Sequence, residues 1–507
     1  MIFRKSRRNR TDHHVKGQVR IKDQSGESIS PEKEVFINEI KKRLNNSSDL
    51  KHKEVESKIT LFFIDTLVDK TMLHQDIIRH VYHLESEPIE LMNMMTVGEV
   101  KKDTVYEDTI ISILSGAVVI HVEGYAYVIS AQIKSNTSRS LTKAENESQV
   151  IGPQLAFNEN LSTNISLIRS YLANPNLCNE IFHIGKQTRT AISLMYIKDI
   201  ASDEMVQTLR QRIKSIKIDG LIDSSVLVQL IDDNSLSIFP QMLLTERPDK
   251  ASTMLLNGKL VVIVDGSSLV IGCPQSFMEF FQSMEDQNVK WHISSFLRLL
   301  RIIAMMLSVF FTAFYVASLT FHYEVIPQPL LVPLSESRSR VPFPPIIEAL
   351  LLEFIIELLR EAGARLPTKV GQTMGIVGGI VIGTAAVQAG FTSNILIIII
   401  ALGALASFTT PSYTMGNVIR ILRFPIILLA GFWGFYGIMF AFCFLLIHLL
   451  RQSSLGSPYM TPFYPPRLAD WKDSIVRLPM KFTFKRPFQT RPKDVQKYVP
   501  KDHQDDE

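Results

Sequence analysis

Residues 370–419 read VGQTMGIVGGIVIGTAAVQAGFTSNILIIIIALGALASFTTPSYTMGNVI, fifty consecutive positions without a charged side chain. A helix of about twenty apolar residues, rising about 1.5 Å per residue, crosses the ~30 Å hydrocarbon core of a bilayer. The second half of the chain holds four segments of about this length: Ile302–Phe321, Thr373–Phe391, Ile395–Tyr413 and Phe424–Ile447. The sequence therefore predicts an all-α polytopic membrane domain over 294–452, with four to five hydrophobic helices.

The first half of the chain has the composition of a soluble protein. Residues 1–57 are charged and hydrophilic, with a basic cluster at Arg4–Arg10, and we expect a disordered tail there. Because a polar segment follows that cluster and no aromatic residues interleave with it, we expect neither a secretory signal nor nucleic-acid binding. The rest predicts an α/β domain on the cytosolic side, with subdomains at 58–200 and 201–293, and a hydrophilic C-terminal tail at 453–507.

Two segments of the α/β domain resemble each other. Residues 116–129 read GAVVIHVEGYAYVI, and residues 258–271 read GKLVVIVDGSSLVI. An acid–Gly pair between β-branched runs is typical of a β-hairpin, because glycine tolerates the positive φ of the turn. One interpretation is that the two segments are unrelated hairpins that share common features. The other, which we adopt for the fold class, is that the domain contains two related subdomains.

The number of membrane crossings depends on residues 344–366, which are hydrophobic but carry several glutamates. Basic residues favour the cytosolic ends of membrane helices, and Arg298, Arg301, Arg420 and Arg423 mark such ends. If residues 344–366 cross the membrane, the basic residues of the loops lie on the cytosolic side and the C-terminal tail lies outside. If that segment is re-entrant or interfacial, the tail lies inside and the loop charges fit less well.

The same segment carries an acidic stripe. Glu353, Glu357 and Glu361 recur every four residues, so they share one face of a helix, with Arg360 beside them. Ionisable groups at membrane depth normally face a bundle interior or a water-filled cavity, and acidic rings in an oligomer would attract cations. The alternative is an amphipathic helix whose acids are hydrated in the headgroup region. These four residues are our candidates for an ion path.

A ladder of small residues follows the acidic stripe. Gly371, Gly375, Gly379 and Gly383 recur every four residues. Small residues on one face let two helices approach closely, so we interpret the ladder as a helix-packing surface. A thin-walled pore or a moving helix is the alternative, and the pattern itself identifies no function.

The soluble half offers no recognisable catalytic or metal site. Four aspartates lie close together in the sequence: Asp219, Asp223, Asp232 and Asp233. Their spacing does not match an EF-hand loop, and turn formation and helix capping account for them. Gly185–Thr188 resembles the end of a P-loop, but Glu180 stands where that motif requires glycine. We therefore expect no enzyme, no cofactor and no bound metal.

The longest motifs resemble the A subunit of spore germination receptors, the GerA family of endospore-forming bacteria. In the membrane half, ELLREAGARLP (357–367) is followed closely by GQTMGIVGG (371–379). In the soluble half, the likeness rests on GPQLAFNENLSTNISLIR (152–169), DGLIDSS (219–225) and FPQMLLTERPD (239–249). From these motifs we take ten signature positions: Asn158, Glu159, Arg169, Asp219, Asp223, Pro240, Glu246, Arg247, Pro248 and Asp249.

This resemblance, over roughly 58–465, implies a multi-pass protein of the spore inner membrane whose N-terminal domain faces the spore core. It implies two partners, a transporter-like B subunit that binds the nutrient and a C-subunit lipoprotein, and a homo-oligomer for which a pentamer is the expected form. The chain would then be the ligand-gated channel that releases monovalent cations when germination begins. An auxiliary channel that senses no nutrient, a proton-coupled carrier and a non-conducting scaffold are the alternatives.

Overall fold

The computed structural model describes residues 27–56, 58–82, 88–95, 97–135, 143–144, 147–365, 383–467 and 470–498. A soluble α/β part comes first and a helical part follows, as predicted. Gly371, Gly375 and Gly379 lie outside the described residues, as do Arg4–Arg10 and most of the predicted span Thr373–Phe391.

The first subdomain is a five-stranded antiparallel sheet with the order β1-β2-β4-β5-β3. Its strands are β1 Leu50–Glu56, β2 Ile59–Ile64, β3 Val100–Asp103, β4 Ala117–Val122 and β5 Val128–Gln132. Helices α1 (Lys33–Arg43) and α2 (Tyr106–Leu114) pack on one face of the sheet. The other face packs against the helical segments between residues 70 and 94.

The disordered tail predicted for 1–57 is wrong for residues 27–56, which contain α1 and β1. Phe36 and Ile40 lie one turn apart on α1 and are fully buried. The ring of Phe36 contacts that of Phe62 at a centroid distance of 5.5 Å. Because the outer face of α1 is charged, the average composition hides this narrow apolar stripe.

The second subdomain repeats the first. Its strands are β6 Leu177–Ile184, β7 Thr190–Ile197, β8 Leu243–Thr245, β9 Leu260–Val264 and β10 Val270–Cys273. Their order is β6-β7-β9-β10-β8, again antiparallel throughout. In both sheets the strands therefore stand in the order first, second, fourth, fifth and third. The two predicted hairpins are confirmed as β4–β5 and β9–β10, and the shared order supports two related subdomains.

The boundary between the subdomains lies earlier than predicted at residue 200. The β6–β7 hairpin belongs to the second sheet, where Ile192 of β7 pairs with Val264 of β9. Four helices accompany this sheet: α3 Leu161–Tyr171, α4 Asp203–Ser215, α5 Ser224–Ile231 and α6 Pro248–Leu256. The pairing of β7 with β9 decides the boundary. Because the paired residues are more than 65 positions apart in the chain, local composition does not reveal it.

The helical part contains five main helices in its described residues. They are α7 Trp291–Thr320, α8 Gln328–Arg338, α9 Pro345–Arg365, α10 Asn394–Ser407 and α11 Tyr413–Arg451. By length and composition, α7 and α11 could each cross a membrane. Ser393 and Ser412 begin α10 and α11, since each hydroxyl accepts a hydrogen bond from a backbone N–H of the first turn.

Helix α11 reverses direction at Gly434, whose backbone angles are φ 60° and ψ −138°. Phe435 lies beside Phe314 of α7, with 4.9 Å between ring centroids. Seven residues later, Phe442 lies beside Phe310, one turn back along α7. The segment predicted as one span at 424–447 is therefore two antiparallel arms joined at a glycine.

The reversal returns the chain to the soluble domain. His448 and Ser237 form a hydrogen bond of 2.9 Å between Nε2 and Oγ. The hydroxyl of Ser453 donates to Asp233, and that of Tyr459 donates to the carbonyl oxygen of Pro240 at 2.7 Å. The start of the C-terminal tail therefore contacts the soluble domain, because the second arm of α11 runs back along α7.

Candidate functional site

Helix α9 carries its acidic residues from the interior of the helical bundle to its surface. It packs against α7, α10 and α11. The predicted stripe of Glu353, Glu357 and Glu361 is present on this helix, but its three members lie in different surroundings. A fourth glutamate, Glu348, lies one and a half turns before them.

Glu353 forms a buried ion pair with Arg423 of α11. Arg423 Nη1 lies 3.0 Å from Glu353 Oε2, and the side chains are 2% and 3% exposed. Thr312 of α7 donates to the other carboxylate oxygen at 2.9 Å. Arg423 Nη2 donates to Ser308 Oγ at 2.6 Å and to the Gly403 carbonyl oxygen at 2.9 Å. This pair therefore joins α7, α9, α10 and α11, and its carboxylate is neutralised.

Glu357 lies in a more open position one turn further along. Its carboxylate is 3.0 Å from Arg420 Nη1 and 3.5 Å from Arg360 Nη1, and the side chain is 39% exposed. Arg360 also donates to Ser407 of α10 at 3.2 Å, and its guanidinium lies 4.7 Å from the ring centroid of Phe408. Two arginines therefore compensate one carboxylate here, although solvent or a neighbouring chain can still reach it.

Glu361 completes the stripe at the end of α9. Its carboxylate is bound by Arg365 of the same helix at 2.5 Å, and both side chains are largely exposed. An exposed i,i+4 pair of this kind contributes little to stability. The stripe therefore begins with a buried ion pair at Glu353 and ends with a solvent-exposed one at Glu361.

Glu348 is a site residue that sequence reasoning missed. It is buried, and its Oε1 accepts hydrogen bonds from Thr392 Oγ1 at 2.9 Å and from the Ser393 backbone N–H at 2.6 Å. Its Oε2 has no hydrogen-bond partner among the described residues, although Arg338 Nη2 is 3.7 Å away. Glu348 lies five residues before Glu353 and therefore outside the repeat of four. An acidic residue within an apolar segment is nevertheless a signal of a functional position.

Arg169, a signature position of the soluble part, joins the two subdomains. It lies on α3, and Asp49 precedes β1 of the other sheet. Arg169 donates to the two Asp49 carboxylate oxygens at 2.5 and 2.8 Å, and to Ser47 Oγ at 3.0 Å. Burial raises the pKa of Asp49, but Arg169 and Ser47 outweigh this effect and hold it below its ordinary value. The pair is a structural clamp.

Arg247 anchors the segment that connects the two sheets. It is almost fully buried, and its guanidinium donates to Asp249 at 2.8 Å and to the carbonyl oxygens of Glu147 and Pro153 at 3.1 and 2.6 Å. Glu246 Oε1 accepts from the Glu147 backbone N–H at 2.7 Å. The signature TERPD therefore holds the connecting segment against α6, whose first residue is Pro248.

Comparison with known proteins decides the family. The family model described as Bacillus/Clostridium GerA spore germination protein matches residues 38–489. The chain belongs to the GerA family. The predicted resemblance is confirmed, and the match extends beyond the expected limits of 58 and 465 because residues before β2 and after the last helix are part of the folded unit.

Two individual relatives agree with this assignment. Spore germination protein GerQA of Bacillus cereus is 45% identical over 448 residues, 88% of this chain and 90% of that protein. Spore germination protein KA of Bacillus subtilis (strain 168) is 37% identical over 471 residues, 90% and 87% of the two chains. The crystal structure of the N-terminal domain of the A subunit of the Bacillus megaterium spore germinant receptor GerK3 is 26% identical, with a TM-score of 0.40, covering 50% of this chain and 98% of that one.

The other signature positions of this GerA protein hold turns in the soluble part. The carbonyl oxygens of four of them accept hydrogen bonds, and a fifth residue, Asp223, caps a helix. These contacts are Asn158 with Asn164 Nδ2, Glu159 with the Gly266 N–H, Pro240 with Tyr459, and Asp223 with the Ser225 N–H. Asp219 likewise accepts from the Gln187 backbone N–H at 2.8 Å through its carbonyl oxygen.

The predicted glycine ladder is described only at Gly383. A Cβ added there would meet no atom within 4 Å among the described residues. The role of the ladder in helix packing stays a prediction. In the parts of the chain that the structure describes, no group of three or more His, Cys, Asp or Glu side chains could hold a metal ion.

Proposed function

We propose that this GerA protein is the A subunit of a nutrient germinant receptor in the spore inner membrane, and that its helical part conducts monovalent cations when germination begins. The observation that carries this proposal is the series of glutamates at successive depths along α9: Glu348, Glu353, Glu357 and Glu361. Carboxylates lining a bundle attract cations and repel anions.

In this proposal the described state is closed. Arg423 and Arg420 neutralise the carboxylates of Glu353 and Glu357, and a neutralised carboxylate no longer offers a site to a passing cation. Conduction then requires α9 and the first arm of α11 to separate, which would free the acids. The family membership and the two long apolar helices support a membrane role for this part of the chain.

The exposed end of the stripe supports a homo-oligomer. The side chains of Glu357 and Glu361 are 39% and 64% exposed, so a second copy of the chain could approach them. A ring of copies, for which we propose a pentamer, would bring one such pair from each subunit to a common axis. Arg360 would then lie at the wall of the path, where its charge tunes the field of the acids.

The soluble part is proposed to face the spore core and to receive the signal from a nutrient-binding B subunit, with a C-subunit lipoprotein as the third component. Asp286 offers a route into the membrane part. It is fully buried just before α7, and it accepts hydrogen bonds from Arg298 at 3.2 Å and from Arg301 at 2.8 and 2.9 Å. A shift of the second subdomain would therefore move the start of α7.

A charge exchange at the half-exposed pair tests the conduction proposal. Glu357→Gln should reduce the cation selectivity of the reconstituted protein and slow potassium release from germinating spores. The double variant Glu357→Arg with Arg420→Glu keeps an ion pair but moves the acid to another helix, so selectivity should stay impaired. Glu324→Gln changes an exposed acid outside the bundle and serves as the matched control.

A non-conducting scaffold is the second candidate, and the closed, fully enclosed Glu353–Arg423 pair favours it. A scaffold needs the ion pairs but not the position of the acid. Under that function, Glu357→Gln would weaken assembly, and the charge exchange would restore both assembly and germination. Normal potassium release from the exchanged variant would therefore overturn the channel proposal and support the scaffold.

A further inference from the structure

A cavity of about 440 Å³, lined mostly by polar residues, lies where three parts of the chain meet. Asn257, Glu279 and Gln282 of the second subdomain form one wall, and Arg298 at the start of α7 forms another. The C-terminal segment between Thr461 and Tyr498 closes the remaining sides. The tail that the sequence marked only as hydrophilic therefore encloses a defined space beside the first membrane helix.

Several hydrogen-bond donors in the wall of this cavity have no acceptor. Arg477 Nη1, Gln489 Nε2 and Tyr498 OH are buried atoms without a hydrogen-bond partner in the described part of the chain. The Gln489 side chain belongs to a residue that is only 5% exposed. Buried donors are nearly always paired, so three unpaired ones around one cavity point to an acceptor-rich ligand.

The charges around the cavity lead to the same chemistry. Its acid Glu279 already accepts hydrogen bonds from Lys259 Nζ at 2.7 Å and from the Ser276 N–H at 2.9 Å. Asp473 is bound by Arg298, with 3.2 Å between Nη1 and Oδ1. By contrast, no described acid forms an ion pair with three basic residues of the lining: Arg477, Lys485 and Lys497. Asp470 is the remaining acid of the lining, so these three basic residues outnumber the acids available to neutralise them.

The pKa values agree with this imbalance. Burial lowers the pKa of Arg477 and of Lys497. For Lys497, repulsion by Arg486 and Arg477 adds to this effect, and attraction by Asp473 opposes it. Lys497 is exposed over much of its length, but its amine donates to Asn257 Oδ1 at 3.1 Å. Burial raises the pKa of Asp470, which weakens the carboxylate of the lining that has no basic partner among those described above. An anionic ligand would stabilise the charged forms of Arg477 and Lys497.

We propose that this cavity binds an oxyanion of the phosphate class, held by Arg477, Lys497, Gln489 and Tyr498. A phosphate group offers several acceptor oxygens, which match a guanidinium, an amine, an amide and a phenol. The ligand is either free phosphate or the headgroup of an anionic phospholipid, because the cavity adjoins the start of a membrane helix. Its binding joins the C-terminal segment to α7 and the second subdomain, independently of ion conduction.

The test uses the full-length protein in a phosphate-free maltoside detergent. One arm titrates inorganic phosphate, and the other titrates a short-chain phosphatidylglycerol against the matching diacylglycerol, with binding followed by calorimetry. We expect saturable binding in one arm, weakened about tenfold or more by Arg477→Gln and by Lys497→Gln. Lys472→Gln, an exposed lysine on the same segment outside the lining, should bind as the parent does.

Gln489→Leu provides a check that does not remove a charge. It eliminates a buried donor without an acceptor, so the ligand-free variant should be at least as thermally stable as the parent while binding more weakly. The arm that shows saturable binding identifies the source of the phosphate. Absence of binding in both arms, or equal affinity across the parent and the three cavity variants, would overturn the site.

Discussion

The guanidinium of Arg423 lies 3.0 Å from the carboxylate of Glu353, although the two residues are seventy positions apart in the chain. The pair is enclosed by four helices, and each partner has further hydrogen bonds to Thr312, Ser308 or Gly403. A buried pair of this kind contributes little relative to an apolar pair, but loss of one partner leaves an uncompensated charge. The relationship therefore explains how a glutamate and an arginine are tolerated inside an apolar bundle.

Glu353→Gln should destabilise the helical part by about 3–5 kcal/mol, because it leaves the Arg423 guanidinium buried without a counter-charge. Glu361→Gln removes an acid of the same stripe at an exposed position, and its effect should stay within about 0.5 kcal/mol. Thermal unfolding of the two variants in the same detergent compares them. Equal melting temperatures would show that the pair does not stabilise the bundle.

Gly434→Ala should destabilise α11 by about 1–3 kcal/mol, because the backbone angles at this position strain any residue with a Cβ. The added methyl group would also overlap the ring of His322. Gly416→Ala is the matched control on the same helix, since a Cβ there meets no described atom within 4 Å. If both variants unfold at the parental temperature, the reversal of α11 at Gly434 is incorrect.

Arg169→Met should loosen the contact between the subdomains by about 3–5 kcal/mol, since Asp49 would remain buried without its partner. The pKa of Asp49 is held below its ordinary value, so the stabilisation is present above the unfolded pKa of about 4 and is lost as the pH falls through the lowered value. The variant should therefore lose less stability than the parent when the pH falls from about 5 to about 3, because this range spans the ordinary pKa of an aspartate, about 4. Denaturation curves at several pH values measure this difference.

Asp232 should make the soluble part less stable at alkaline pH. Burial and the neighbouring Asp233 raise its pKa to about 7. Because the folded pKa exceeds the unfolded one, the stabilisation is complete in acid and is lost as the pH rises through about 7. Allowing for solvent screening of this half-buried group, the loss should be about 1–2 kcal/mol.

Asp232→Asn cannot ionise, so its melting temperature should change less than that of the parent between about pH 5.5 and pH 8. Asp219→Asn, which alters an exposed aspartate, is the control and should follow the parental profile. A parental pH profile in Asp232→Asn would show that another group is responsible.

Elements defined by local pattern were predicted well. The acid–Gly turns at Gly124 and Gly266 have positive φ, as a hairpin with such a turn requires, and both hairpins are present. In each case, residues within a few positions of one another carry the signal, because period and turn chemistry are local properties.

Partners separated by long stretches of chain were not predictable. Arg423 was interpreted only as a marker of a helix end, although it is the counter-charge of Glu353. Glu348 fell outside the repeat of four, and α1 was hidden by the charge on its outer face. Each of these errors concerns an interaction whose second member lies on another element.

The sequence by itself determined that this chain has an α/β part, a helical part with long apolar segments and a helix with a repeat of glutamates. Composition and periodicity suffice for these features, because apolar length, alternation and spacing act through neighbouring residues. Only the tertiary structure decided that arginines neutralise Glu353 and Glu357, that α11 reverses at Gly434, and that the C-terminal tail lines a cavity. These features depend on which residues, far apart in the sequence, are buried next to each other. Only the folded chain brings such residues together.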